Sequence, residues 1–169
     1  MTQIFERKRS PFYHFGQLMR LEKIPRPDFF HYITSRLETI TSDSDSIACS
    51  ILEETDCHPY YTQQLSSVVW DRLYYKKEET IKVVTNAISQ LVTAHDLDFE
   101  RLWLTFNKTD RKMLQLLCKG QSPYEQRQIP TSTSFSAIKR LMQSGFVIRT
   151  DSYAVEDPIF RHWIKRRME

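Results

Sequence analysis

The sequence predicts a mostly α chain, a small helical bundle followed by a winged helix-turn-helix with a short β-hairpin. Three observations carry that prediction. Apolar residues recur at three- and four-residue spacing from Phe30 to Leu91 and again from Met113 to Met142, the period of amphipathic helices. Proline and clusters of Ser, Thr and Asp fall between those stripes, where helices start and stop. After Gly145 the pattern changes to two strand-like runs, Phe146 to Thr150 and Tyr153 to Glu156, on either side of a two-residue turn at Asp151-Ser152.

The first element differs from the rest. From Phe12 to Pro25 the apolar residues Phe15, Leu18, Leu21 and Ile24 are broken by Gly16 and bounded by Pro11, Pro25 and Pro27, which reads as one short strand with flanking loops. A lone strand is not stable. Residues 1–27 therefore look like a remnant strand and linker cut from a sheet, expected either to be disordered or to pair with another chain. Asp28 is placed to cap a first helix with Phe30, Ile33, Leu37 and Ile40 as its stripe. The run Thr41-Ser42-Asp43-Ser44-Asp45-Ser46 makes a loop and the cap of a second helix that buries Ile47, Ala48, Ile51 and Leu52. Pro59 suits the first turn of a third, with Tyr61, Leu65, Val68 and Val69 inward. A fourth starts near Glu78 with Ile81, Val84, Ile88 and Leu91. Residues 28–103 form the bundle, and a short helix from Asp98 through Phe99, Leu102, Trp103 and Phe106 is expected to be the hinge into a second unit.

Residues 104–169 form that second unit. Thr109 is expected to cap a helix carrying Met113, Leu114, Leu117 and Cys118, ended by Gly120 where φ is positive. Ser122-Pro123 opens a short second helix, and Thr131-Ser132-Thr133 opens a third with Phe135, Ile138, Leu141 and Met142 inward. The hairpin is the wing. Asp157-Pro158 begins a terminal helix with Ile159, Phe160 and Trp163 on one side and Lys165, Arg166 and Arg167 at its end, where cations favour the helix dipole.

Charge and composition narrow the function classes. The net charge is only +3, but residues 101–169 hold thirteen Lys and Arg against six Asp and Glu, +7, which leaves −4 for residues 1–100. The two halves are expected to meet different partners. No apolar run approaches the roughly 20 residues of a membrane helix, and no apolar leader follows Met1, so a cytoplasmic location without membrane partners is expected. Cys49, Cys57 and Cys118 are an odd number without a close pair, which argues against a disulfide framework. The only glycines, Gly16, Gly120 and Gly145, are too scattered for a phosphate-cradling loop, so unaided nucleotide hydrolysis is not expected. No metal-ligand spacing or nucleophile motif appears among the histidines and cysteines, so no catalytic or metal-binding residue is assigned.

Two constellations remain. In a helix-turn-helix the third helix enters the major groove, and its outward residues Ser136, Lys139, Arg140 and Gln143, with Arg149 on the hairpin, suit phosphates and base edges. Many winged helices dock on proteins instead, and both readings stay open. The second is His58-Pro59 at a helix start, followed by Tyr60 and Tyr61, where free N–H groups attract anions. Equally, Pro59 simply begins the helix and His58 packs beside Tyr61.

The run His58-Pro-Tyr-Tyr-Thr-Gln-Gln-Leu65 with Val69-Trp70-Asp71, then Leu117-Cys-Lys-Gly120, and the ending Asp157-Pro-Ile-Phe-Arg-His-Trp163 resemble the C-terminal portion of the prokaryotic AAA-type P-loop ATPases, the archaeal-type or STAND-like signalling group. The resemblance implies a helical lid and a winged helix behind a nucleotide domain whose last strand is similar to Ser10 through Pro25. It implies that His58 and Pro59 lie against the bound nucleotide, with Tyr60 or Tyr61 near the base. Relatives often carry Gly before His-Pro, where this chain has Asp56-Cys57. The P-loop, the Mg²⁺-binding acidic strand and the sensor strand are missing, so the chain is expected to be a fragment or a truncated reading frame, inactive alone. ATP and Mg²⁺ then belong to the absent P-loop domain, which becomes the implied partner beside double-stranded DNA and a second copy of the chain. The function implied is the non-catalytic lid and winged-helix part of a nucleotide-switched ATPase, with the winged helix as a DNA-binding module. The alternative is a regulatory protein-interaction module without DNA binding.

Overall fold

The computed structural model describes residues 24–125 and 129–168. Among them eight helices and one two-stranded antiparallel sheet follow each other along the chain. The expected remnant strand lies almost wholly outside the described residues.

Helix α1 (Arg26–Leu37) starts two residues before Asp28, because Pro25 and Pro27 pre-set the backbone for a first turn. Asp28 sits inside that turn, where its charge faces unpaired N–H groups rather than capping them. Helix α2 (Ser44–Thr55) begins at Asp43 as the Ser/Asp run requires, with Ile47, Ala48, Ile51 and Leu52 buried. The Asp43 carboxylate makes no cap bond. It accepts from the Thr80 hydroxyl at 2.7 Å, at the first residue of α4 (Thr80–Ala94). Between α2 and α3 (Pro59–Tyr74) the chain reverses through Asp56 and Cys57, both left-handed with φ of 48° and 54°. The buried hydroxyls of Thr55 and Thr62 meet across that corner at 2.8 Å, and Thr55 also donates to the Ile51 carbonyl, so neither hydroxyl is left unpaired.

Helix α4 buries Val83, Val84, Ala87, Ile88, Leu91 and Val92. Ile81, expected in that stripe, is 89% exposed, since it belongs to the first turn ahead of the packed stretch. Helix α5 (Asp96–Thr105) starts two residues before Asp98. Helix α6 (Lys108–Cys118) is capped by Asn107, whose side chain accepts from Asp110 N at 2.9 Å, not by Thr109. Asn before the first turn competes better than Thr within it. The helix expected at Ser122-Pro123 is a turn, and residues 119–125 contain no helix. Helix α7 (Thr131–Gln143) buries Ser134, Ala137, Ile138 and Leu141. Phe135 and Met142, expected inward, are 57% and 39% exposed, each one residue past the buried i, i+3, i+4, i+7 stripe. Strands β1 (Val147–Arg149) and β2 (Tyr153–Val155) pair Val147 with Val155 and Arg149 with Tyr153. Their connection is three residues, not two, because Thr150 N donates to Ser152 O around Asp151. Helix α8 (Pro158–Met168) is capped by Asp157, whose Oδ1 accepts from the amides of Ile159 and Phe160.

The first four helices pack in sequence, and α8 lies across α2, α4, α5, α6 and β2. The buried residues from Ile33 to Ile164 form one hydrophobic cluster. At its centre Phe99, Trp103, Phe106, Phe160 and Trp163 pack with ring centroids 5.2–6.4 Å apart. Helix α5, expected to be a hinge, thus supplies two rings to the core.

Candidate functional site

Part of the charge asymmetry of the sequence is met inside the molecule. Helix α8 carries Arg161, His162, Arg166 and Arg167 on its polar side, and each faces an acid from residues 1–100. Arg161 pairs with Asp56 at 2.6 Å, His162 lies 2.9 Å from Glu54, Arg166 pairs with Asp96 at 2.9 Å, and Arg167 pairs with Glu100. The Trp163 indole N–H donates to the same Asp96 carboxylate at 2.8 Å, which ties the buried ring to the ionic seam. The two exposed pairs, Arg166 with Asp96 and Arg167 with Glu100, contribute about 0–1 kcal/mol each. Their main consequence is for long-range attraction, since cations already paired contribute less field toward a distant polyanion.

His58 and its neighbours face this seam too. His58 is the last residue before α3, its ring packs 5.0 Å from Tyr61, and its Nε2 lies 4.0 Å from Glu156. The His58 Nδ1 is buried without a partner. Tyr61 is buried, and its hydroxyl donates to Asp157 Oδ2. Burial first, and then the bond to Asp157, push that hydroxyl far above the ordinary tyrosine range, so it stays protonated. Tyr60 and Pro59 are exposed, and the Tyr60 hydroxyl accepts from Gln64 Nε2 at 2.8 Å. Of these consecutive residues His58 and Tyr61 lie beside the carboxylates of Glu156 and Asp157. Just before His58 the backbone is left-handed at Asp56 and Cys57, at a strain cost of about 1–2 kcal/mol each.

The second constellation lies on α7 and the hairpin. Ser136, Lys139, Arg140, Gln143 and Arg149 are all exposed, but they are not equivalent. Arg140 forks onto Asp110 of α6, with Nε at 3.1 Å from Oδ2 and Nη2 bonded to Oδ1. Asp110 is 5% exposed, and among the described residues its charge is met by that guanidinium and the first turn of α6. The bond to Asp110 raises the affinity of Arg140 for its proton. Arg149 rests 5.4 Å over the Tyr153 ring. Lys139 stands between Phe135 and Met142, the two apolar side chains on the same outward face.

The chain matches no protein family, no curated protein and no solved structure. Its chemistry is therefore read from its own surfaces. Among the described residues no His, Cys, Asp and Glu group could hold a metal ion, and no helix is long and apolar enough to cross a membrane. The three cysteines are free, and burial pushes the Cys118 thiol up to about 11, which keeps it protonated at neutral pH. Asp110 had no motif to announce it. Its one sequence signal is the Asn107-Lys-Thr-Asp110 spacing, a capping pattern that says nothing of Arg140 thirty residues on.

Proposed function

We propose that this chain is a non-catalytic interaction module whose α7 face docks on a protein, as the helical and helix-hairpin part of a nucleotide-switched ATPase. The observation that carries the reading is the exposure of Phe135 and Met142 on the outward side of α7, on either side of Lys139. Interface cores are rich in Phe and Met and poor in charge. Fully burying side chains of this size stabilises a complex by about 1.5–3 kcal/mol each. Arg140, the residue best suited to a base edge, is committed to Asp110. The α3 start faces Glu156 and Asp157, so nucleotide contact there requires the segment before α8 to move aside. Binding in trans to a purified AAA-type P-loop domain, lost when Phe135 and Met142 are both changed to Ser, tests the reading. Failure of the wild-type chain to bind that domain sinks it.

A second reading, DNA contact, is favoured by the exposed Ser136, Lys139, Gln143 and Arg149. It predicts binding to duplex DNA that weakens steeply between low and high salt. Titration of labelled duplex at two salt concentrations separates the two readings, and a strong salt-dependent affinity would favour DNA over protein docking.

A further inference from the structure

Helices α1 and α3 both rest on α2 but stand apart from each other, and the space between them is an open groove of about 510 Å³. Its two walls have different chemistry. From α1 come Phe29, Tyr32 and Arg36, with the guanidinium carbon 5.4 Å over the Tyr32 ring. From α3 come Ser66, Ser67 and Trp70, the last stacked on Tyr74. The volume lies within the range of about 300–1,000 Å³ found for small-molecule sites, which are mostly apolar with a few placed polar groups. One further feature says what kind of molecule fits. Among the described residues Arg36 pairs with no carboxylate, so the groove has a cation at its rim and no anion beside it.

We propose that the α1–α3 groove binds a planar aromatic acid. The rings of Phe29, Tyr32 and Trp70 provide faces for an aromatic body, and Arg36 pairs with its anionic group. The α7 face takes no part, so this proposal stands or falls independently of the proposed function.

The test uses the full chain and two probes that share one ring system. One is 8-anilinonaphthalene-1-sulfonate, and the other is N-phenyl-1-naphthylamine, which lacks the sulfonate. Both are expected to bind at one site per chain with energy transfer from tryptophan, and Trp70→Phe is expected to reduce that transfer. Arg36→Met should weaken the sulfonate about three- to fivefold, the yield of one exposed charge pair. The same change should leave the neutral probe within twofold. Ser67→Trp, a change at an exposed position that fills the groove, should weaken both probes more than tenfold. Thermal melts of each variant must stay cooperative, so that dye uptake by loosened chains is not mistaken for binding. Unchanged affinity of both probes in both variants overturns the proposal. So does a Ser67→Trp chain that differs only in sedimentation, since that assigns the groove to a second copy.

Discussion

Replacing Arg140 by Met is the sharpest test of what that residue does. The guanidinium is about half exposed, while the Asp110 carboxylate it forks onto is nearly sealed from water. Removing Arg140 therefore leaves a buried charge uncompensated, whereas removing the carboxylate lets Arg140 turn into solvent. Breaking a fully buried pair costs about 3–5 kcal/mol. Discounted for the exposure of Arg140, the expected loss is about 2–3 kcal/mol for Arg140→Met and about 1–2 kcal/mol for Asp110→Asn, as hydrogen bonds to charged groups are worth. In a chain of this size that is a fall in melting temperature of roughly 4–12 °C for the first and 2–8 °C for the second. Urea titration followed by circular dichroism at 222 nm measures both. The double variant should lose less than the sum, because one interaction is removed twice. An Arg140→Met chain within about 0.5 kcal/mol of wild type would refute the reasoning and return Arg140 to the set of residues free to meet a ligand.

Three more outcomes are expected. His162 is held mostly neutral because burial, the largest influence, outweighs the opposing pull of Glu54, with Arg161 and Lys165 adding to the depression. Its folded affinity for a proton is thus below the ordinary value near 6.5, so the unfolded chain takes up the proton first as pH falls through that value. Thermal stability should drop between about pH 7 and pH 5.5, and His162→Gln should flatten that part of the profile. Cys57→Gly relieves a left-handed backbone at the cost of chain entropy and a partly buried side chain, so urea unfolding should show a change within about 1 kcal/mol of zero; a loss above 2 would mean that the thiol packs more tightly than its half-exposure suggests. Trp163→Ala, which removes a ring that is 1% exposed and its bond to Asp96, should cost about 3–5 kcal/mol by the same assay.

The helical part of the fold was readable because its signals are local. Pro59 at a helix start, the Ser/Asp run before Ile47 and the positive φ at Gly120 and Gly145 each act within a turn of the residue that shows them. Where the stripe reading failed, the cause was a missing neighbour in one helix and the phase of the stripe in another. Ile81 has the right period but no packed partner at its level, and Phe135 sits one residue to the side of the line from Ser134 to Leu141 that α6 and β1 cover. The candidate sites were less readable for the same reason. Lys139 and Arg140 are adjacent and chemically alike, and only the fold reveals that Asp110 claims one of them. Nor does any spacing announce that Arg161 will find Asp56, or that Tyr61 will find Asp157.

Those long-distance pairs have a kinetic corollary. Arg161 and Asp56 are 105 positions apart, and Tyr61 and Asp157 are 96 apart, so the strand-to-helix corner at Asp157 closes loops of about a hundred residues when it docks. Loop-closure entropy must be met before such contacts reward it, which places this docking late on the folding route and makes it slow beside the nucleation of any single helix. Once made, it ties the amino-terminal helices to the carboxyl-terminal ones, and the two should melt together in a single transition.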